Sequence, residues 1–193
     1  MNVFVGIDGP VEEVPLVEVR RAFETNFFGA ARMIQAFVPA MRERGSGTIV
    51  NVSSVAGIVG GPLAGFYSAT KFALEALSES LHLEVGHFGV RVLVVEPGAI
   101  ATRFADNLVD LRRPGPYAEL AEKWESAMGV LGGEEPVPGP ELVATKICDA
   151  LEEVHRPLRL PVGADAELIA ASRQGASYDD FEAAMRGILQ IDW

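Results

Sequence analysis

The chain has 193 residues, which is enough for one domain with a full core but too few for two comfortable ones. Hydrophobic residues make up 49% and charged residues 22% of the sequence, as in ordinary globular proteins. The net charge of −11 argues against nucleic acid or an anionic membrane as a partner.

Targeting and redox features point to a soluble, cytoplasmic protein. The only cysteine, Cys148, excludes a disulfide within the chain, which fits a reducing compartment. The first ten residues lack the basic start of a signal peptide. The longest uncharged run, residues 45–70, is rich in glycine and serine, so we interpret it as strand, loop and helix start rather than a membrane span.

The N-terminal part of the chain predicts a loop followed by a long helical region. Residues 1–15 are expected to be irregular, because glycines and prolines punctuate them. From Leu16 to Arg44 apolar residues recur at helical spacing, which predicts one long helix or two abutting ones. Asn26 lies at mid-length in this region, and Pro39 marks a potential kink.

Two short stretches predict buried parallel strands. Thr48–Val52 and Val90–Val95 are rich in β-branched residues and apolar on both faces. Between them, residues 66–85 predict a helix. Strand, helix and strand in this order form a right-handed parallel unit, so we predict an α/β fold with a Rossmann-like parallel sheet flanked by helices.

The remainder of the chain predicts mostly helices. We expect a short helix at residues 102–109, an acidic helix at 117–130, a helix at Pro140–Val154, a strand at Leu158–Val162, and one or two helices in the tail.

Tyr67 and Lys71 are the first candidate functional pair. They are four residues apart near the start of the helix predicted at 66–85, so both side chains lie on one helix face. A cation beside a phenol favours phenolate and lowers the tyrosine pKa from about 10. Such a tyrosine can transfer a proton near neutral pH.

Further candidates follow the two predicted strands. Ser54 comes after the first strand and Pro97-Gly98 after the second, at the strand ends where open α/β sheets bind ligands. The loop after Ser54 can return its hydroxyl to Tyr67, and two hydroxyls on one carbonyl oxygen would hold and protonate it. A loop or helix-cap serine is the alternative interpretation of Ser54.

Two other kinds of site are not supported. The glycine-rich loop at residues 57–65 lacks the spacing of a phosphate-binding loop and is interrupted by Pro62. His82, His87 and His155 show no metal-ligand spacing, so we predict no metal site.

The candidate residues together resemble the short-chain dehydrogenase/reductase family, and most of all its hydroxysteroid- and retinol-dehydrogenase-like members. The resemblance covers about residues 9–104. It rests on Asn26 in the long helix, on the Asn51-Val52-Ser53-Ser54 stretch, on Tyr67 with Lys71, and on residues 97–102, all in the family's order and spacing.

The resemblance implies a role for each matching position. Tyr67 would be the general acid in ketone reduction and the base in alcohol oxidation, and Lys71 would lower its pKa and hold the nicotinamide ribose. Ser54 would orient the substrate oxygen, and Asn26 would position a water that relays protons through Lys71.

Residues 97–102 would line the nicotinamide of NAD or NADP. Pro97 and Gly98 belong to this wall, Ile100 would bind through its backbone, and Thr102 would bind through its hydroxyl. An N-cap is an equally good interpretation of Thr102, and a helix-kink residue is the alternative for Asn26.

The N-terminus departs from the family pattern. In the family, a strand, a Gly-rich turn and a helix that bind the cofactor pyrophosphate precede the part seen here, followed by an Asn-Asn-Ala-Gly motif. This sequence begins with Met1-Asn2-Val3-Phe4 at that motif. We therefore expect a single, N-terminally truncated domain, and we expect the chain alone to bind NAD(P)(H) poorly.

Residues 105–193 are expected to cover the substrate. Aromatic and aliphatic side chains after Thr102 suggest an apolar alcohol or ketone; they are Phe104, Leu108, Leu111, Tyr117, Trp124 and Met128. In the resembled family the helices matching residues 16–44 and 66–85 make the dimer interface, so the resemblance implies a homodimer or tetramer, with packing inside the chain as the alternative. The rival functional hypothesis is an inactive homologue that acts as a binding or oligomerisation partner, and a truncated gene model is a third.

Overall fold

The computed structural model describes residues 4–131, 136–153, 157–190 and 192. Within them the chain forms five strands. The strands are β1 (Gly6–Asp8), β2 (Gly47–Val52), β3 (Val90–Pro97), β4 (Leu108–Asp110) and β5 (Arg159–Val162).

Seven α-helices of the described residues flank these strands. They are α1 (Leu16–Phe23), α2 (Gly29–Arg44), α3 (Gly65–Val85), α4 (Ala118–Leu131), α5 (Pro140–Glu152), α6 (Ala164–Arg173) and α7 (Tyr178–Leu189). A π-helical segment, Glu24–Phe28, joins α1 to α2, so the region predicted at residues 16–44 is helical throughout and continues past Pro39.

The main sheet is parallel and has the order β2-β3-β5. β3 pairs with β2 from Val90↔Gly47 to Val95↔Val52, and its side chains are buried from Val90 to Glu96. The helix α3 connects β2 to β3. The α/β, Rossmann-like fold with a parallel sheet flanked by helices is therefore confirmed, and the strand ends of β2 and β3 lie side by side where the candidate residues follow them.

A second, two-stranded parallel sheet corrects the sequence analysis at two places. β1 pairs with β4, with Gly6 opposite Leu108, whereas residues 1–15 were expected to be irregular and 102–109 to be a helix. Residues 103–107 form a 3₁₀ turn, and the chain then becomes extended. Both strands have three residues, so their pairing across the fold, rather than a local pattern, creates them.

Close packing explains the glycine in β1. A Cβ on Gly6 would meet the side chains of Leu108 and Phe104 at 2.7 Å, so a larger residue would force these two side chains to shift. β1 thereby joins the N-terminus to the segment that carries Phe104.

The later elements agree with the prediction apart from their bounds. β5 begins at Arg159 and α4 begins at Ala118. The tail contains two helices, α6 and α7. The predicted end of α5 at Val154, and His155 after it, lie outside the described residues.

None of the described helices combines the length and apolar character needed to cross a membrane.

Candidate functional site

Tyr67 lies in the first turn of α3, with its ring against Phe104 at a centroid distance of 5.7 Å. Burial raises the pKa of Tyr67 to about 12, a hydrogen bond with the Ser54 hydroxyl lowers it, and the charge of Asp8 raises it. The phenol is therefore held in its protonated form at neutral pH.

Ser54 lies at the end of β2, where the chain turns towards α3. Its Oγ accepts a hydrogen bond of 3.1 Å from the backbone N–H of Ala56 and so caps the 3₁₀ turn Val55–Gly57. The Ser54 hydroxyl also lowers the pKa of Tyr67. The cap interpretation of Ser54 is therefore confirmed, while its role towards a substrate stays a prediction.

Lys71 is fully buried one turn along α3 from Tyr67. Its Nζ donates a hydrogen bond of 3.1 Å to the carbonyl oxygen of Val52 and lies 3.7 Å from the ring centroid of Phe4. Burial lowers the pKa of Lys71 to about 7, and the charge of Glu75 raises it.

The electrostatic expectation for the pair was wrong in this structure. Lys71 was expected to lower the pKa of Tyr67, but burial raises that pKa, and Lys71 is not among the groups that shift it. The Lys71 Nζ is 5.7 Å from the centroid of the Tyr67 ring. The two side chains do share a helix face, but the Lys71 ammonium is directed to Val52 and Phe4. Burial also lowers its pKa.

Asn26 lies in the π-helical segment and is buried, with 2% of its surface exposed. Its Oδ1 accepts a hydrogen bond from the N–H of Val5 at 3.0 Å, and its Nδ2 donates to the Val5 carbonyl at 2.9 Å and to the Thr70 hydroxyl at 3.1 Å. Thr70 neighbours Lys71 in α3. Asn26 thus ties the backbone before β1 to the helix that carries Tyr67 and Lys71.

Residues 97–102 form the wall beyond β3. The N–H of Gly98 donates to the Val162 carbonyl at 3.0 Å, and the N–H of Ala99 donates to Oδ2 of Asp165 at 2.7 Å. Gly98 has no room for a Cβ, because the Asp165 carboxylate occupies that space. These bonds hold the turn that carries Ile100 against β5 and the start of α6.

Thr102 serves as a cap in this structure. Its Oγ1 accepts a hydrogen bond of 3.2 Å from the N–H of Phe104, at the entry to the 3₁₀ turn Arg103–Asn107. The O–H of the same side chain can still donate to a bound group.

A first cavity, of about 1170 Å³, brings most of the predicted site residues to one surface. Its lining includes Ser54, Tyr67, Pro97, Gly98, Ile100 and Thr102. Phe4 also lines it, on the side where that ring covers the Lys71 ammonium. Lys71 lies behind this wall, beneath Phe4, and Asn26 does not line the cavity but bonds to the backbone of Val5.

A second cavity, of about 560 Å³, meets the other side of Tyr67. Four of the side chains predicted to cover a substrate line it, namely Phe104, Leu108, Trp124 and Met128. The other two do not. Leu111 packs against the core cluster of Val5 and Ile7, and the hydroxyl of Tyr117 donates to Glu12 at 2.7 Å.

A partly buried ion-pair network around Arg159 was not anticipated from the sequence. Arg159 in β5 bonds to Glu75 at 2.5 Å, to Glu79 at 2.6 Å and to Glu96 at 2.6 Å. Burial raises the pKa of Glu75 to about 7, while Arg159 lowers it. The spacing of Lys71 and Glu75, four residues apart on one helix face, was the available signal.

No group of three or more potential metal-ligating His, Cys, Asp or Glu side chains occurs within the described ranges.

The family model described as short chain dehydrogenase matches residues 1–112. A 3-ketodihydrosphingosine reductase from Bacteroides thetaiotaomicron is 36% identical over 171 residues, which are 88% of this chain and 64% of the relative. Retinol dehydrogenase 8 from Bos taurus is 41% identical over 109 residues, or 56% of this chain and 35% of the relative. The chain therefore belongs to the short-chain dehydrogenase family.

Solved structures agree with this assignment. A short-chain dehydrogenase from Streptomyces avermitilis superimposes with a TM-score of 0.79 at 35% identity, covering 96% of this chain and 65% of that one. A short chain dehydrogenase/reductase from Burkholderia phymatum, solved with NAD, gives a TM-score of 0.72 at 25% identity, covering 95% and 65%. The chain thus spans about two thirds or less of the length of these relatives.

Proposed function

We propose that this chain carries the proton-transfer and substrate-binding part of an NAD(P)-dependent oxidoreductase that acts on an apolar alcohol or ketone. One observation carries the proposal. The Tyr67 phenol and the Ser54 hydroxyl, which lowers the pKa of that phenol, lie together on the wall of a large cavity, and Tyr67 also faces a second, apolar one.

The two hydroxyls suit ketone reduction. A substrate carbonyl oxygen placed between them would accept one hydrogen bond from Ser54 and one from Tyr67, and Tyr67 would transfer its proton as negative charge develops on that oxygen. Because burial raises the pKa of Tyr67 to about 12, the residue is held as the phenol, which is the form that donates.

The nicotinamide end of the cofactor fits the first cavity. Pro97, Gly98 and Ile100 present a wall whose backbone is fixed by β5 and Asp165, and Thr102 retains a hydroxyl proton to donate. When bound there, the cofactor supplies or accepts the hydride.

The ribose contact is the part that does not fit. Lys71 is the side chain that the family resemblance assigns to the ribose, and the Phe4 ring covers its ammonium at 3.7 Å. The Phe4 ring must move before Lys71 can meet a cofactor. This supports the expectation that the chain alone binds NAD(P)(H) poorly.

The substrate side of the proposal rests on the second cavity. Trp124 and Met128 from α4, together with Phe104 and Leu108, give it an apolar wall that adjoins the Tyr67 ring. An apolar chain or ring system would bury its surface there while its carbonyl reaches Tyr67.

Assembly into a homodimer or tetramer is a further part of the proposal, as is a cytoplasmic location. β2 is an edge strand of the described sheet. α2 and α3 also leave large apolar side chains exposed, including Met33, Phe37 and Phe72 at 58%, 51% and 45%. The rival, an inactive binding partner, has no observation of its own in its favour.

A chimera tests the proposed activity. The N-terminal segment of the Bacteroides thetaiotaomicron relative, joined ahead of this chain, supplies the cofactor-binding part that the family resemblance places there. With decan-2-one and NADH or NADPH, the chimera should consume reduced cofactor at about 1–10² turnovers per second, as ordinary enzymes do. A folded chimera that binds the cofactor but reduces no apolar ketone would contradict the proposal.

A further inference from the structure

The strand β1 directs one acidic side chain into the second cavity. Because side chains alternate along a strand, Gly6 and Asp8 face the cavity, while Ile7 faces the opposite way into the core. The partner strand follows the same alternation, with Leu108 on the cavity side and Val109 against the core.

The Asp8 carboxylate is not committed to another group. Its backbone oxygen accepts from Leu111, but its side chain makes no hydrogen bond or ion pair within the described ranges. Arg112, the cation whose charge lowers the pKa of Asp8, bonds instead to Asp110 at 2.7 and 2.9 Å and to Glu125 at 2.6 Å. Burial raises the pKa of Asp8, the charge of Arg112 lowers it, and the charges of Asp110 and Glu125 raise it.

The rest of the cavity wall offers no competing charge at that point. The lining contains no lysine, arginine or histidine among the described residues. The only other carboxylate in it, Asp180, is exposed and accepts the Ser177 hydroxyl at 2.6 Å in the cap of α7. An apolar cavity with one uncommitted carboxylate favours an apolar ligand that carries a cation.

Asp8 and Tyr67 line the same cavity, and the charge of Asp8 raises the pKa of Tyr67. One ligand in this cavity could therefore place a cation at Asp8 and a carbonyl oxygen at Tyr67. The cation would also remove the negative field that opposes the charge developing on Tyr67 as it gives up its proton.

We propose that the second cavity takes an amine-bearing apolar ketone or alcohol, with its ammonium group against Asp8 and its oxygen at Tyr67. The inference rests on the proposed function for the identity of the reacting oxygen. The ammonium contact itself is a binding property of this chain.

Binding of simple amphiphiles to the 193-residue chain tests the inference without cofactor or turnover. Trp124 lines the cavity, so its fluorescence reports occupancy, and Trp193→Phe removes the second tryptophan of the sequence. Below their aggregation limits, decylammonium should bind at least about tenfold more tightly than decan-1-ol, equivalent to ~1.4 kcal/mol, and decanoate should bind most weakly.

Variants assign the preference to Asp8. Asp8→Asn should bring decylammonium to within about threefold of decan-1-ol, whereas Asp8→Glu should keep the preference and show that the site still folds. Asp180→Asn should leave the preference unchanged. Equal binding of amine and alcohol, loss of the preference in Asp180→Asn alone, or no binding of any probe would each overturn the inference. A failure of hydride transfer would appear only in the chimera assay.

Discussion

Lys71 places an ammonium group in a fully buried position, beneath the ring of Phe4. The spacing of Tyr67 and Lys71 in the sequence predicted that they share a helix face, and they do. It could not predict that Phe4, far away along the chain, would cover the ammonium. Burial of the Lys71 ammonium away from water lowers the pKa of Lys71 to about 7.

Replacing this amine should stabilise the fold at neutral pH. The pKa of Lys71 falls from 10.5 to about 7 on folding, so between these values the unfolded chain holds a proton that the folded chain lacks. Stability should therefore rise with pH across this window, and Lys71→Met should remove that dependence. After the lost bond to Val52, we expect a gain of about 1–3 kcal/mol at pH 7 that shrinks towards pH 10.

Urea unfolding at pH 7, 8.5 and 10 measures the difference. Lys146→Met is the matched control, because Lys146 is exposed on α5 and should change stability little at any of these pH values. A Lys71→Met protein that is less stable than the parent at pH 7, or a gain that grows with pH, would show that Lys71 is charged and well paired in the folded protein.

At the level of the secondary-structure elements, the π-helical segment Glu24–Phe28 contains one buried residue, Asn26. A π turn inserts an extra residue into a helix and is often found at functional sites. Here it accompanies Asn26, whose amide pairs with both backbone groups of Val5 and with Thr70. The sequence located Asn26 within a long helix, but helical periodicity alone gives no sign of the π turn.

Asn26→Leu should destabilise the protein by about 2–4 kcal/mol. The substitution leaves the buried N–H and C=O of Val5 without partners, and each unsatisfied group costs about 1–3 kcal/mol. Chemical denaturation measures the loss, with Gln35→Ala on the exposed face of α2 as the control. A loss below about 0.5 kcal/mol would mean that Asn26 does not hold the chain before β1 to α3.

The sequence predicts the described strands β2 and β3 but not β1 and β4. β2 and β3 were predicted because β-branched side chains pack well on the pleated surface of a buried sheet. β1 and β4 were missed because each has three residues and exists through its pairing with the other, Gly6 opposite Leu108 and Asp8 opposite Asp110. The same pairing places Asp8 in the second cavity, which is why no local pattern pointed to it.

On the scale of the whole molecule, charge works against an anionic cofactor. The chain carries a net charge of −11, and Arg103, the one basic side chain among the described residues that line the first cavity, is ion-paired with Asp106 at 2.8 Å. The proposed catalytic residues stand out in the sequence because they follow strand ends or share one helix. These residues give no information about which groups would contact the phosphates of the cofactor.

The chain alone should therefore bind NADH and NADPH with a dissociation constant of about 1 mM or weaker, or about −4 kcal/mol. In the proposed binding mode the wall at residues 97–102 would contact only the nicotinamide end. Phe4 covers Lys71, and the negative net charge would repel the pyrophosphate. Titration followed by cofactor fluorescence measures this, with the chimera as the positive control. Micromolar binding by the 193-residue chain would reveal a phosphate site within it.

The assignment of Tyr67 as proton donor is tested most directly by Tyr67→Phe in the chimera, with turnover of an apolar ketone as the measurement. The substitution removes one hydroxyl from the cavity wall, and turnover should fall by about 10²–10⁴-fold, the usual value of general acid catalysis. Tyr117→Phe, which removes a hydroxyl that bonds to Glu12 and lines neither cavity, should retain activity. Near-normal turnover by the Tyr67→Phe chimera would contradict the proposed mechanism.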